Sequence, residues 1–545
     1  MNLEFINWIL PLSPIAFIVT ALYSWVQPGL RPQVLKRLAL NSTILNILIA
    51  AVGSIYVTLN GLLESAFIGF NEIGISLRLD ALSILMFFMI AIIGFIVVKF
   101  SQNYMDGDEN QGRFIGRLAA TLASVQLLVL AGNLGLLWLA WVMTSISLHR
   151  LLVFYPNRPG AIVAARKKVI VARLGDVSLF IAMMLLYRQF DSANLEVIFQ
   201  GLRDQITLGI IPSGLETSAV LIVLTALLKS AQFPTHGWLI EVMETPTPVS
   251  ALLHAGILNA GPFLLLRMAF LMELSSSASI LIISIAGFTA LFASVAFLTQ
   301  TSIKTALGYS SVAHMGFSLM LCGLGAYPAA MLHMVAHSFY KAHSFLSTGS
   351  IIDVIRGAKV QKIHRTGHPI KITLGILLAI AVYLGFAYLW GMDFSKDLAL
   401  LSIGAIIVMG LSTLFTSALD TNGRASLIIR ATLLAIMVAA LFFTLESGAH
   451  YLLAAQLPEA YILNSTEIIL TISLLILFGA VVFIQILSPV LGSKTIYRAI
   501  AIHLKNGFYA NALFDRLIGA LRIHPLNFQP NRSKNRKVKE SKHSK

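Results

Sequence analysis

The chain predicts an all-α polytopic membrane protein of about 14–15 transmembrane helices. Of its 545 residues 57% are hydrophobic and only 12% charged, against roughly 25% charged residues in soluble domains. Mean hydropathy is +0.82. The apolar residues fall in runs of about 18–25, which at 1.5 Å per residue match a hydrocarbon core of roughly 30 Å.

The first run, 5–25, lacks a basic leader and a small-residue cleavage site, so it reads as a retained helix rather than a signal peptide. Length and hydropathy place the next spans near 38–59, 80–100, 114–131, 134–153 and 169–187. After a longer polar loop at 188–216 come 217–240 and 248–271, separated by a proline-rich stretch. The series continues at 278–299, 306–325, 327–352, 371–391, 398–418, 428–445 and 466–491. No soluble domain of any size remains, and the longest polar pieces are the 188–216 loop and the segment from 492 onward. The chemistry therefore belongs inside the bilayer or at its faces.

Charge sets the orientation. Arg31, Lys36 and Arg37 follow the first span, Arg150, Arg158, Arg166, Lys167 and Lys168 the fifth, and Arg356, Lys359, Lys362, Arg365 and Lys371 the eleventh. All three groups fall on one face. The other face carries Glu64, Glu72, Glu446 and Glu459, so the positive-inside rule puts the N-terminus outside and the C-terminus in the cytoplasm. Net charge is +15, and seven Lys or Arg lie among the last fourteen residues, Arg532 to Lys545. Beside so much membrane, that tail reads as a disordered segment near anionic lipid and not as a nucleic-acid arm. Cys322 is the only cysteine, which excludes an internal disulfide, a cysteine zinc site and iron–sulfur ligation by this chain. There is no P-loop, nucleophile elbow or dinucleotide fingerprint, so the chain is not expected to be an enzyme by itself.

Ionisable side chains inside spans are costly and normally face a wet cavity or a partner. The candidates are Asp176, Lys229, His254, Lys304, His314, His333, His337, Lys341 and His343. His333, His337 and Lys341 recur every fourth residue and share one face of a helix, a stripe about 12 Å long. Such a stripe can hand protons along; it can equally hydrogen-bond neighbouring helices and move nothing. A metal reading is weak, because HMVAH lacks the glutamate of H-E-x-x-H. In LLKSAQFPTHGWLIEVMETPTPVSALLHAGILNAG, Pro234, Pro246 and Pro248 should break a helix after Lys229 and let it restart near Val249. Irregular backbone at membrane depth lines a cavity or is buried in protein, and transporters build ion sites at such breaks. The plainer alternative has Lys229 snorkelling to the interface. Asn259 with its small neighbours suits helix packing, and Glu241 and Glu244 form either a channel mouth or a solvated turn.

The run KSAQFPTHGWLIEVMETPTPVSALLHA resembles the antiporter-like proton-channel subunits of respiratory complex I and of multisubunit Na+/H+ antiporters. The resemblance extends over roughly 70–355 through RLGDVSLF with Asp176, SIKTALGYSSVAHMGF with Lys304 and His314, and HMVAHSFYKAHSFLSTGSII. It implies two inverted five-helix repeats containing broken helices, with polar residues along the midplane. It implies that Lys229 is the central lysine of the first repeat, with His254 and Lys304 bridging toward Lys341, and FSKD makes Lys396 the second repeat's broken-helix lysine. The implied organisation is 1–110 as N-terminal helices, 111–272 and 273–418 as the repeats, 419–491 as C-terminal helices and 492–545 as a cytoplasmic segment. One departure stands out: the fifth helix has Trp141-Val142 where relatives carry Trp-Glu, so the central lysine lacks its usual counter-charge and Asp176 is the substitute, with Thr144 and Ser145 as polar neighbours.

That departure, with SLHRLLVFYPNRPGAIVAARKK and HLKNGFYANALFDRLIG, resembles the DabB family, membrane subunits of inorganic-carbon accumulation complexes. The resemblance implies conduction of a cation, H+ or Na+, in the cell inner membrane. It implies coupling to a DabA-like cytoplasmic zinc subunit that resembles a carbonic anhydrase, with CO2 or bicarbonate as substrate and no cofactor in this chain. The alternatives are a proton-pumping or Na+/H+ antiporter subunit of a complex I or Mrp-type assembly, and a scaffold that conducts nothing.

Overall fold

The computed structural model describes residues 4–70, 73–209, 211–349, 368–392, 398–420, 425–458, 463–487 and 495–517. On the N-terminal side α1 (Glu4–Tyr23), α2 (Gln33–Asn60) and α3 (Ala81–Tyr104) precede α4 (Gln111–Val129), α5 (Leu134–Leu152) and α6 (Pro159–Phe190). A surface helix α7 (Leu195–Leu208) leads to α8 (Ser213–Lys229), the short α9 (Gly237–Glu241), then α10 (Thr247–Ala255), α11 (Ala260–Arg267) and α12 (Ala269–Glu273). The second half holds α13 (Ser276–Thr299), α14 (Ile303–Gly323), α15 (Tyr327–Leu346), α16 (Pro369–Leu389), α17 (Leu398–Asp420), α18 (Ala425–Leu453) and α19 (Ser465–Ile486). Two small helices, α20 (Thr495–Lys505) and α21 (Ala510–Leu517), follow.

Among the described residues ten helical segments are long and apolar enough to cross a membrane: α2, α3, α5, α6, α10 with α11, α13 and α16 to α19. Helices α1, α4, α8, α14 and α15, of 17–21 residues, pack among them. Every apolar run of the sequence thus carries a helix, and the fold is all-α and polytopic. The α10–α11 segment is buried along its whole hydrophobic window, which makes it the centre of the bundle. Polar side chains join spans where lipid offers no partner: Gln126 Nε2 donates to Asn46 Oδ1 at 2.6 Å, and Ser13 Oγ donates to Gln126 Oε1 at 3.0 Å.

The only strands among the described residues are two short antiparallel ladders between α2 and α3, β1 (Leu63–Glu64) with β4 (Arg78–Leu79) and β2 (Ile68–Phe70) with β3 (Ile73–Ile75). They seat an ion network on the face opposite the basic one. Asp80 caps α3 by accepting from Ser83 N at 2.8 Å. It also receives Arg78 Nε at 2.8 Å and Arg267 Nη1 at 2.5 Å, and Arg78 reaches Glu64 at 3.0 Å and Glu196 at 2.7 Å. Burial by itself raises the Asp80 carboxyl, but the guanidiniums of Arg267 and Arg78 outweigh it and hold the group well below the usual carboxylate range. The ladders, α3, α7 and α11 are thereby tied at one point.

The structure corrects the loop assignment after the fifth span. Helix α6 begins at Pro159, so Arg166, Lys167 and Lys168 are helical; Lys167 is 0% and Lys168 4% exposed. Hydropathy marks where a helix becomes apolar, not where its hydrogen bonding starts. Lys36 and Arg37 likewise lie in the first turns of α2, with Lys36 3.3 Å from Asp106. Arg356, Lys359, Lys362, Arg365, Glu72, Glu459 and the basic tail lie outside the described residues.

Asp80→Asn removes the shared carboxylate and leaves two guanidiniums short of a partner. Unfolding in detergent should show a loss of about 3–5 kcal/mol. Since the folded-state carboxyl lies below its unfolded value, this contribution is present above the ordinary carboxylate range and is lost only as pH falls through the folded value. The wild type should therefore outlast D80N at neutral pH, with the gap closing only in strong acid.

Candidate functional site

The site begins where α8 stops. Ser230 N donates to Ala226 O at 3.0 Å, Ala231 turns left-handed at φ 53°, and Gln232 N reaches back to Leu227 O at 3.2 Å. This is a left-handed C-terminal cap, here built on alanine instead of glycine. Pro234 lies in the irregular stretch beyond, where the chain cannot resume a helix through it. Pro246 and Pro248 sit at the start of α10, where a missing N–H has no intrahelical partner to lose. The open backbone is satisfied locally: Phe233 N donates to Thr289 Oγ1 at 3.2 Å and Ser230 Oγ to Leu258 O at 3.0 Å. Gly261 permits this approach, since a Cβ there would stand 2.7 Å from Ala226 O.

Lys229 points into the bundle and not toward headgroups. Its ammonium group has three donors, and three oxygens of α5 meet them: Thr144 Oγ1 at 2.8 Å, Ser145 Oγ at 2.9 Å and Trp141 O at 3.2 Å. The Trp141 ring lies under the same nitrogen, 4.4 Å from its centroid. No carboxylate among the described residues lies within 4.0 Å of it. Asp176 does not take the place of the absent fifth-helix glutamate as a direct partner: it pairs with Arg173, one turn back on its own helix, at 2.7 Å. Any action of Asp176 on Lys229 is through space. A cavity of about 20 Å³ touches Lys229, Lys168, Leu228, Trp238 and Ile257, enough for one water molecule.

Beyond the cradle the central span is itself interrupted. Helix α10 ends at Ala255, and a 3-10 turn at Ile257–Asn259 precedes α11. The turn frees Asn259 to donate to Ser338 Oγ on α15 at 2.6 Å. His254 is fully buried and stacks on Phe345 of α15 at 4.3 Å between centroids. His337 and Lys341 are buried on the same face of α15, and Lys341 Nζ donates to Leu307 O of α14 at 3.3 Å. His314 of α14 completes the group, its Nδ1 3.2 Å from His333 Nε2 and its ring 4.9 Å from that of His337. The ring nitrogens of His254 and His337 have no hydrogen-bond partner among the described residues, an arrangement that demands an explanation. No cluster suited to a metal ion is found among the described residues.

Five sequence candidates thus come together on α10, α14 and α15, namely His254, His314, His333, His337 and Lys341, while Lys229 stands at the end of α8 against α5. Lys304 stands apart, half-buried in the first turn of α14 beside an open cavity of about 630 Å³ that Thr247, Ser302 and Leu346 also line. His343 is exposed, and Lys396 lies outside the described residues. Sequence reasoning missed the Asn259–Ser338 bond and Lys168, whose Nζ donates to Ser145 O at 2.5 Å. It also missed how the end of the chain is fastened. Lys167 binds Glu241 at 2.6 Å, Asn511 at 3.0 Å and Asp515, and Asn511 Nδ2 donates to Glu241 at 2.6 Å. Glu241 is therefore neither a channel mouth nor merely solvated, and Glu244 caps the start of α6 through Ala161 N at 3.2 Å.

The fold and this buried line of amines and imidazoles define an antiporter-like membrane subunit. The family described as NADH:quinone oxidoreductase/Mrp antiporter, TM matches residues 131–392, and the complex I chain 5 N-terminus family matches 67–115. The Mrp complex from a Dietzia species superposes at a TM-score of 0.62 with 22% identity, over 95% of this chain and 60% of that one. An archaeal membrane-bound sulfane sulfur reductase does so at 0.56 and 17%, over 95% and 99%. A probable inorganic carbon transporter subunit DabB2 of Halothiobacillus neapolitanus is 36% identical over 463 residues, 84% of this chain and 82% of the relative. A probable subunit DabB of Hydrogenovibrio crunogenus is 38% identical over 54% of this chain and 59% of its own. NADH-quinone oxidoreductase subunit L of Mycobacterium tuberculosis is 32% identical, over 68% and 57%. Within the antiporter-like class, the chain belongs to the DabB family of inorganic carbon transporter subunits.

Removing the α5 hydroxyls with Thr144→Val and Ser145→Ala should lower thermal stability, since each buried donor left without an acceptor costs about 1–3 kcal/mol. Adding Lys229→Met should recover most of the loss. A thermal-melt double-mutant cycle showing plain additivity would rule out the cradle.

Proposed function

We propose that this chain conducts protons through the membrane as a subunit of an energy-coupled inorganic carbon transporter, its ion flow driving CO2 or bicarbonate uptake by a DabA-like zinc partner in the cytoplasm. One observation carries the conduction: a buried lysine at a helix break, with every donor met by neutral oxygen and no carboxylate within 4.0 Å among the described residues, shares the bundle with buried imidazoles, those of His254 and His337 without a hydrogen-bond partner there, and with a second buried lysine. Amines and imidazoles exchange protons, whereas Na+ needs oxygen ligands, and those at Lys229 are already engaged by its N–H groups. Protons pass between Lys229, His254, the His314–His333–His337 group and Lys341, with Asn259 and Ser338 holding α10 against α15. Asp176 biases Lys229 from a distance. Lys304, half-buried in the first turn of α14, bridges toward Lys341, and Lys396 is the broken-helix lysine of the second repeat, the equivalent of Lys229.

The carbon substrate is carried over from the names of the 36–38% identical relatives, and the zinc partner rests on the family resemblance alone. The coupling element is the C-terminal segment: α21 grips Glu241 and Lys167, at the stretch that leaves Lys229. A partner that pulls on α21 pulls on the break. Arg31, Arg113, Arg117 and Arg158 on this face support, by the positive-inside rule, a reading with this face in the cytoplasm and the N-terminus outside, in the cell inner membrane. A second reading, a subunit of a complex I or Mrp-type assembly, is favoured by the family descriptions and by subunit L at 32% identity.

In a host that needs high CO2 for growth, Lys229→Ala or His337→Ala should abolish rescue while membrane assembly persists, and wild-type rescue should be lost with a protonophore but kept without sodium. Full rescue by both variants would leave only a scaffold. Native co-purification separates the other two readings, a zinc protein supporting the first and quinone-reductase or antiporter subunits the second.

A further inference from the structure

The path above leaves one buried amine unused. Lys168 lies well inside α6, 4% exposed, with no carboxylate among the described residues within 4.0 Å. Its Nζ donates to the carbonyl of Ser145 at 2.5 Å, while the hydroxyl of the same serine accepts from Lys229 at 2.9 Å. Two amines from different helices therefore converge on one residue. The cavity of about 20 Å³ is bounded by both of them, and by Leu148, Val171, Ala172 and Trp238. Leu228, Ile257 and Leu258 complete a largely apolar wall in which Lys168, Lys229 and Trp238, whose indole N–H has no partner among the described residues, carry the polar groups, and the space is large enough for one water.

The placement has a direction. Helix α8 enters from the face opposite the basic one, so Lys229 lies at its deep end. Lys168 belongs to the part of α6 nearer the basic face, next to Lys167 and its Glu241, Asp515 and Asn511 partners. His149 stands one turn beyond Ser145 on α5, half-buried and with its Nδ1 unpartnered. Arg173 and Asp176, paired with each other, are the next charged groups along α6. Two ammonium ions this close, in a medium of low dielectric constant and with no carboxylate between them, repel strongly.

We propose that Lys168 is the proton-transfer residue between the basic face and Lys229, acting through the one-water cavity beside Ser145. In the step, the Lys168 ammonium gives a proton to the water as the water gives another to the Lys229 amine. One N–H and one O–H bond break while one of each forms, the net transfer is one proton from Lys168 to Lys229 with the water restored, and no oxidant or reductant takes part. Lys168 is then reloaded from the basic face past His149. The inference rests on the conduction reading.

The test uses the full-length chain purified with its native partner, in liposomes carrying an internal pH dye under an imposed potential. Lys168→Gln and Lys168→Arg should each lower proton flux by about a hundredfold, with melting temperatures near wild type. Lys168→Ala should regain flux with methylamine but not with tetramethylammonium, which carries charge but no exchangeable proton. Wild-type flux in K168R would mean that a fixed charge suffices and would overturn the assignment. If the lysine variants do not fold, Ala172→Leu fills the cavity while leaving both amines in place, and wild-type flux in it overturns the assignment too. Lys229→Ala separates the two levels. Wild-type flux in K229A defeats conduction itself, whereas flux lost in K229A but kept in K168Q defeats only the role of Lys168.

Discussion

An ammonium group in a hydrocarbon slab has to be met by oxygen, and most of the bundle's irregularity follows from meeting that demand at Lys229. Three acceptors must converge on one nitrogen. Helix α5 supplies them from a single turn, two hydroxyls and one carbonyl, and the Trp141 ring closes the fourth side. The lysine can reach them because α8 ends there instead of continuing to the far face. That ending exposes backbone groups, of which Phe233 N is met by the Thr289 hydroxyl, while the Ser230 hydroxyl ties the break to the Leu258 carbonyl across a close approach that residue 261, having no side chain, leaves open.

The same logic explains the central span. A regular helix from Thr247 to Arg267 would carry Asn259 as one more buried amide facing its own turn. The 3-10 turn lets it bond Ser338 and so joins the two halves of the bundle at the depth where the imidazoles lie. Neutral hydrogen bonds hold the scaffold at that level, and the ring nitrogens of His254 and His337 are left without a partner among the described residues. At the faces the protein uses charge instead. Asp80 with two arginines anchors one face, and Lys167 with two carboxylates anchors the other. The second anchor includes α21, which is thereby fastened to the stretch that follows Lys229.

Much of this was legible beforehand, for identifiable reasons. A span must be about twenty residues of apolar side chains whatever its neighbours are, so the helices could be counted from hydropathy alone. The break was legible because prolines cannot continue a helix, although the residue that ends α8 is Ala231, whose left-handed turn has no signature in its side chain. The i, i+4 stripe on α15 was legible from helical periodicity, and His314 joins it only through packing. Two readings went astray. Lys167 and Lys168 looked like loop charges because hydropathy falls off before the helix does. Asp176 looked like a partner for Lys229, yet the arginine three residues earlier in RLGD was the local signal of its actual ion pair.

Sequence by itself settled what is local: which segments cross, where they cannot stay helical, and which faces carry ionisable groups, because these depend on side-chain polarity and backbone chemistry within a few residues. Tertiary structure alone decided which groups meet. That Lys229 rests on hydroxyls and not on a carboxylate, that Lys168 shares its serine, and that Asn511 closes on Glu241 are matters of ångström distances between helices far apart in the chain. Packing sets those distances, and no single segment encodes them.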